Sequence, residues 1–258
     1  VPIDFKKYKR FFAFGCSMTQ YHWPTWADII CKEIPESYNY GRTGAGNIYI
    51  SNLVAEANMR YKFNSDDLVM IMWSTITRED RYLGKQWHCH GNIYYQSFYD
   101  EEFLEKYVDN RGQLIRDLGL ITLTEGMLSN IGCDFHMLAM QPMDLVIRDD
   151  TNKLEGEYQD VIDLYQPTLD KIKPDLLVHG CGAKWPTTPI GRNVPGGQTH
   201  DYHPTPRMHH RYLVNVFPQT KYKPETMAMI EKYEFEIGKS KFLEDLTWNV
   251  PLQMPPLL

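Results

Sequence analysis

The sequence predicts an α/β fold, a parallel sheet of five strands in the order 2-1-3-4-5 with helices on both faces. Three observations predict it. Two short runs, Phe11–Phe14 and Leu68–Trp73, are apolar without alternation, as in strands buried on both faces of a parallel sheet. Stripes of apolar residues at helical spacing follow such runs, so strand and helix signals alternate along the chain. Right-handed crossovers then place the helices on both faces, making three layers.

The first strand ends at Gly15, which permits a sharp turn onto Cys16-Ser17-Met18-Thr19. Pro24 and the run Trp26, Ile29, Ile30, Ile34 mark the first helix. Ser37–Tyr40 is the second strand. It runs into Gly41-Arg42-Thr43-Gly44-Ala45-Gly46-Asn47, whose three glycines let backbone approach a ligand closely. Ile50, Leu53, Val54, Ala57 and Tyr61 give the next helix its stripe, and Leu68–Trp73 is the third strand, followed by Ser74, Thr75, Thr77 and Arg78. Residues 79–112 break the alternation with Trp87, Tyr94, Tyr95, Phe98, Tyr99, Phe103 and Tyr107. This stretch reads as an insertion over the carboxyl edge of the sheet, a lid or specificity element.

A helix over Gln113–Ile131, a fourth strand over Asp134–Met140, a helix over Gly156–Ile172 and a fifth strand over Asp175–Val178 come next. A Gly- and Pro-rich loop from Gly180 to Gly197 delivers His200-Asp201-Tyr202-His203-Pro204-Thr205. Thr205 and Pro206 open a helix with His209, Tyr212, Leu213 and Val216 as its stripe, and a last helix spans Pro224–Ile237. Residues 238–258 form a proline-bearing tail. With no internal repeat and no dividing linker, 1–258 reads as a single domain.

Composition narrows the functions. The chain has 258 residues, 43% of them hydrophobic, and a formal net charge of -6, enough for one sizeable core and without a basic nucleic-acid footprint. No apolar run reaches the ~20 residues that span a bilayer, so neither nucleic acid nor membrane is an expected partner. The five cysteines are scattered, without CxxC spacing, which argues against structural zinc or a disulfide framework and for a reducing, cytoplasmic setting. The aromatic content of 13% suggests a lined cleft or a partner surface. His88-Cys89-His90 supplies two imidazoles alone, an incomplete metal site.

Three carboxyl-end loops carry chemistry-capable groups: Ser17 after the first strand, Gly44–Asn47 after the second, and Asp201 with His203 after the fifth. A serine needs an imidazole to accept its proton, and the imidazole benefits from a carboxylate that fixes its tautomer. Backbone N–H groups at Ser17 and Gly44 can hold a developing oxyanion. The bland alternative has Ser17 satisfying backbone groups at a turn.

Gly15-Cys16-Ser17-Met18-Thr19, Asn39–Asn47 and Asp201-Tyr202-His203-Pro204 together resemble the blocks of the SGNH (GDSL-type) hydrolase family. The likeness runs from the first strand to the helix after His203, excluding the insertion and the tail. It implies a flavodoxin-like α/β/α sandwich and esterase, lipase or acetyl esterase activity without a metal or other cofactor. It makes Ser17 the nucleophile, His203 the base, Asp201 its orienter and Gly44 an oxyanion donor. Cys16 stands where the family usually has aspartate, and Asp201 and His203 are separated by one residue rather than two. The third block, normally Gly-x-Asn-Asp, is replaced by Met72-Trp73-Ser74-Thr75-Ile76-Thr77-Arg78. Ser74, Thr75 or Asn47 then becomes the substitute oxyanion donor, and Arg78 and Ser74 are the expected substrate contacts, Arg78 toward an anionic group.

The expected function is therefore a serine-dependent ester hydrolase acting on a small-molecule or glycan ester. The competing reading is a catalytically weak or inactive SGNH-like interaction or assembly module, pairing with itself or a partner through the aromatic insertion or the tail. A third, metal-dependent hydrolysis, would use His200, Asp201, His203 and His209.

Overall fold

A computed structural model of the chain describes residues 1–94, 99–143, 158–194, 197–246 and 248. Tyr95 and Phe98 of the aromatic run, the start of the helix expected from Gly156, and the tail from Val250 lie outside the described residues.

Strand β1 (Arg10–Gly15) leads through a turn into helix α1 (Trp26–Cys31), then β2 (Glu36–Gly41), α2 (Asn47–Tyr61) and β3 (Asp67–Trp73). A hairpin of β4 (Arg78–Leu83) and β5 (Gln86–Asn92) follows, then α3 (Glu101–Tyr107), α4 (Asn110–Ile131) and β6 (Asp134–Ala139). Beyond these come α5 (Gln159–Leu169), α6 (Leu176–His179), a second hairpin of β7 (Gly191–Val194) and β8 (Gly197–His200), α7 (Pro206–Val216) and α8 (Pro224–Lys239).

The central sheet is parallel, four strands in the order β2-β1-β3-β6. Phe11–Phe14 and Leu68–Trp73 are fully buried, as uninterrupted apolar strands require. Because β1 to β2 and β2 to β3 run in opposite directions across the sheet, right-handed crossovers put α1 and α2 on opposite faces. Helices α2, α4 and α5 pack together as one layer, and α1, α7 and α8 as the other.

The fifth strand expected over Asp175–Val178 does not form. The Asp175 carboxylate accepts the Val178 N–H at 2.9 Å and so caps a helical turn, α6, that turns Leu176 into the core. Among the described residues, the free side of β6 meets a parallel bridge from Met137 to Ile172. The loop expected from Gly180 to Gly197 carries the β7–β8 hairpin, whose Gly191 bridges Phe242.

The aromatic stretch after β3 is anchored rather than loose. Gly84 and Lys85 take φ values of 57° and 70°, the pair of positive angles that a two-residue type I′ hairpin turn demands. Buried Asp80 in β4 accepts the N–H groups of Gly46 and Tyr49, each at 2.9 Å, and so caps α2 from another element.

Candidate active site

The carboxyl ends of β1 and β2 hold the first two loops side by side. Ser17 sits in a tight turn closed by the Thr19 and Gln20 N–H groups, which donate to the Cys16 carbonyl at 2.9 and 3.2 Å. A Cβ on Gly15 would lie 2.1 Å from Thr19 Oγ1, so glycine there lets the turn fold back on the strand. A buried network fixes the rest: Thr25 Oγ1 and Asn39 Nδ2 both donate to the Thr19 carbonyl, at 2.6 and 2.8 Å, and Asn39 Oδ1 accepts the Gly41 N–H at 3.0 Å. Ser17 is buried to all but 4%.

The Asp201–His203 loop is tied to that first loop. The Trp23 indole donates to the Pro204 carbonyl at 2.8 Å. The Tyr21 ring stacks on the His203 imidazole with centroids 3.7 Å apart and planes 17° apart. From the other side Thr188 donates its N–H to the Asp201 carbonyl, and the Asp201 N–H donates to Ile190. Asp201 Oδ1 accepts the His203 N–H at 2.8 Å and lies 3.2 Å from His203 Nδ1, while Oδ2 accepts the Tyr21 hydroxyl. Burial alone would raise the Asp201 pKa; the hydrogen bonds from His203 and Tyr21 outweigh it and hold the carboxyl below its usual value. The structure thus brings Asp201 and His203 together and sets them against a residue four positions beyond Ser17. No hydrogen bond joins the Ser17 hydroxyl to the His203 ring among the described residues.

The second loop is held by the first hairpin. Gly44 has φ +80°, and its carbonyl accepts the Gly91 N–H at 3.0 Å. Arg42 Nη2 donates to the Trp87 carbonyl at 2.8 Å. Arg78 Nη1 donates to the Ala45 carbonyl at 2.7 Å, and its buried Nε has no partner. Arg78 therefore lies along the Gly44–Asn47 loop, while the neighbouring Glu79 pairs with Arg81 and Arg116.

Two expected donors are otherwise engaged. Asn47 Nδ2 donates to the Ser74 carbonyl at 3.1 Å and to Asp117 Oδ2 at 2.8 Å, and Oδ1 accepts the Ser74 N–H. With both amide hydrogens committed, Asn47 clamps the end of β3 to α4 rather than pointing a donor at a substrate. Asp117, fully buried, has its pKa raised to about 6 by desolvation, against the pull of Arg116 and Asn47. Ser74 is buried beneath the loops with its hydroxyl 3.5 Å from Met140 Sδ, so it does not line the surface as a substrate contact. Sequence reasoning missed Tyr21, Trp23, Asp80 and Asp117. Only Asp80 had a local signal, an acidic residue among strand residues that needs a buried partner.

Among the described residues no three His, Cys, Asp or Glu side chains converge in a metal-holding arrangement. His209 is fully buried with Nδ1 unpartnered, and burial, assisted by His203, lowers its pKa to about 3.

No family model matches the chain, and no curated protein matches it either. Solved structures do. A member of the lipolytic protein G-D-S-L family from Veillonella parvula DSM 2008 is 13% identical, with a TM-score of 0.44 over 81% of this chain and 98% of that one. A GDSL-like lipase from Bacteroides thetaiotaomicron VPI-5482 is 13% identical, with a TM-score of 0.42 over 90% of this chain and 92% of that one. At this distance neither likeness bears on activity, which has to be argued from the site.

Proposed function

We propose that the chain is a serine-dependent ester hydrolase with Ser17 as nucleophile, His203 as base and Asp201 as its orienter. One observation carries the reading: the Asp201–His203 pair, closed at 3.2 Å, is stacked against the loop that presents Ser17. Ser17 Oγ attacks the ester carbonyl as its proton passes to His203, and the imidazolium then protonates the departing alkoxide. A water, deprotonated by the same imidazole, releases the acid from the acyl-serine. The N–H groups of Ser17 and Gly44 hold the oxyanion, and each such donor is worth about 3–4 kcal/mol of barrier. Arg78, which already bounds the Gly44–Asn47 loop, takes an anionic group of the substrate. An acyl or acetyl ester of a carbohydrate suits the aromatic surroundings.

A second reading, an interaction or assembly module, is favoured by α3. No residue of that helix is buried, and Tyr99, Phe103 and Tyr107 form a row of rings with centroids 4.5 and 5.2 Å apart. A fluorophosphonate probe with a panel of small acyl esters separates the two. The hydrolase reading expects labelling and turnover that Ser17→Ala and His203→Ala abolish while the fold persists. Absence of both in the wild-type protein gives first place to the module.

A further inference from the structure

Tyr21 touches both members of the Asp201–His203 pair. Its ring lies face to face with the imidazole, and its hydroxyl donates to the carboxylate oxygen that His203 does not use. Tyr21 is itself buried and braced edge-on by His22 and Trp23, at 5.1 and 4.8 Å between ring centroids.

The short spacing explains why such a brace is needed. With one residue between them, Asp201 folds back so that Oδ1 sits closer to the His203 N–H, at 2.8 Å, than to ring Nδ1, at 3.2 Å. The backbone bond sets the position of Oδ1 but neither the rotation of the carboxylate about its own axis nor the plane of the imidazole. A stacked ring restricts the imidazole, and a donor on Oδ2 fixes the carboxylate.

We propose that Tyr21 is a positioning residue for His203, its ring setting the imidazole plane and its hydroxyl setting the Asp201 carboxylate. The proposal rests on the hydrolase reading for its effect on rate, and on geometry alone for its effect on His203. Among the described residues, Asp201 and the exposed Tyr202 share the imidazole's loop, and Tyr21 comes from the loop after β1 with His22 edge-on against its ring. His209 on α7 is kept neutral by burial, and Glu234 on α8 is spent on Thr205 and Arg207. Of these groups the Asp201 carboxylate is the charge that meets the His203 ring, and the Tyr21 hydroxyl draws part of that charge away.

Tyr21→Phe keeps the ring and removes the donor. The carboxylate charge then concentrates on the side facing His203, and the imidazole titration followed by NMR is expected to move up by about 0.5–1 pH unit. The acid limb of ester turnover follows, with a further loss of about 3- to 10-fold below the limb relative to the plateau and unchanged KM. A merely structural tyrosine would lower the plateau and leave the limb in place. Replacing Tyr21 by 3-fluorotyrosine, a stronger donor of nearly the same shape, moves the titration down; it also serves as the test if Tyr21→Phe does not fold. A titration that stays put in the folded variant overturns the proposal. Because NMR needs no turnover, a shifted titration in a protein that fluorophosphonate does not label rejects the hydrolase reading and leaves the Tyr21 assignment intact.

Discussion

The Trp23 indole N–H reaches the Pro204 carbonyl at 2.8 Å, joining two loops that lie 181 positions apart in the chain. Both groups are buried, so neither has water as an alternative partner, and the bond holds the His203 loop against the loop that carries Ser17.

Trp23→Phe removes this donor and leaves the Pro204 carbonyl unpaired. The orphaned acceptor costs about 1–3 kcal/mol, read as a lower urea midpoint. Fluorophosphonate labelling of Ser17 is expected to slow by about tenfold or more, since small displacements of a base are costly. A variant as stable and as reactive as wild type would show that the two loops are aligned by other contacts.

Gly44→Ala tests the second loop. The added Cβ would lie 2.4 Å from the Cys89 carbonyl oxygen, and the φ of +80° is unfavourable to any L residue with a side chain. Either the loop or β5 must shift, at a cost of about 1–3 kcal/mol. Gly84→Ala is the control for the backbone strain alone, because its φ is also positive, +57°, while its Cβ would meet nothing within 4 Å. If Gly44 also supplies an oxyanion donor, its variant loses kcat by more than its stability loss explains, while Gly84→Ala keeps full turnover.

What could be read from the sequence was what is local. Phe11–Phe14 and Leu68–Trp73 identify themselves because a strand buried on both faces needs nothing but apolar residues. Gly-x-Ser was legible as a loop at a strand end, whereas Asp-x-His, expected after a fifth strand of the sheet, follows the separate β7–β8 hairpin instead. Asp175 was misleading, since Leu176-Leu177-Val178 suits a buried strand as well as a buried helical turn and the cap decides between them. Gly84-Lys85 is a weak hairpin signal, since only the first of its two positive-φ positions is a glycine. Asn47 was legible as polar and near the site but not as spent, because its partners Ser74 and Asp117 lie 27 and 70 positions away. Tyr21 looked like any aromatic for the same reason: its partner Asp201 is 180 positions off.

Asp28 gives stability a pH dependence. Its carboxyl is fully buried at the start of α1, where it meets the Thr25 N–H at 2.9 Å, Thr25 Oγ1 at 3.0 Å and Asn39 Nδ2 at 3.2 Å. Burial raises its pKa from 3.8 to about 6, against the pull of those donors. Folding therefore favours the protonated acid. Its contribution is complete below the unfolded value of 3.8 and is lost as the pH rises through about 6. Wild type should lose roughly 1–3 kcal/mol from this site between pH 4 and pH 7. Asp28→Asn should flatten that part of the profile in urea titrations at the two pH values. An identical slope in both proteins would mean that Asp28 does not titrate in this range.

Asp201→Asn is the sharpest test of the pair. Asp201 is fully buried, and among the described residues its two oxygens meet the His203 N–H, the His203 ring and the Tyr21 hydroxyl. An asparagine has one acceptor oxygen and an amide that donates, so at least one of these donors must face an N–H group. If the oxygen keeps the Tyr21 hydroxyl, the amide confronts the imidazole, favours the wrong tautomer and leaves the imidazolium without its counter-charge. The expected loss in kcat is about 10²- to 10⁴-fold, with KM little changed because Asp201 is buried beneath the imidazole. Stability carries a second signature. Because the Asp201 pKa lies below its ordinary value, its charge stabilises the fold above the ordinary carboxylate pKa and that stabilisation is lost on acidification. The wild-type protein should therefore lose more stability than Asp201→Asn as the pH falls through the carboxylate range, measured by thermal denaturation in parallel with turnover. A kcat within about threefold of wild type would remove Asp201 from the catalytic pair and shift the orienting role to the Tyr21 ring.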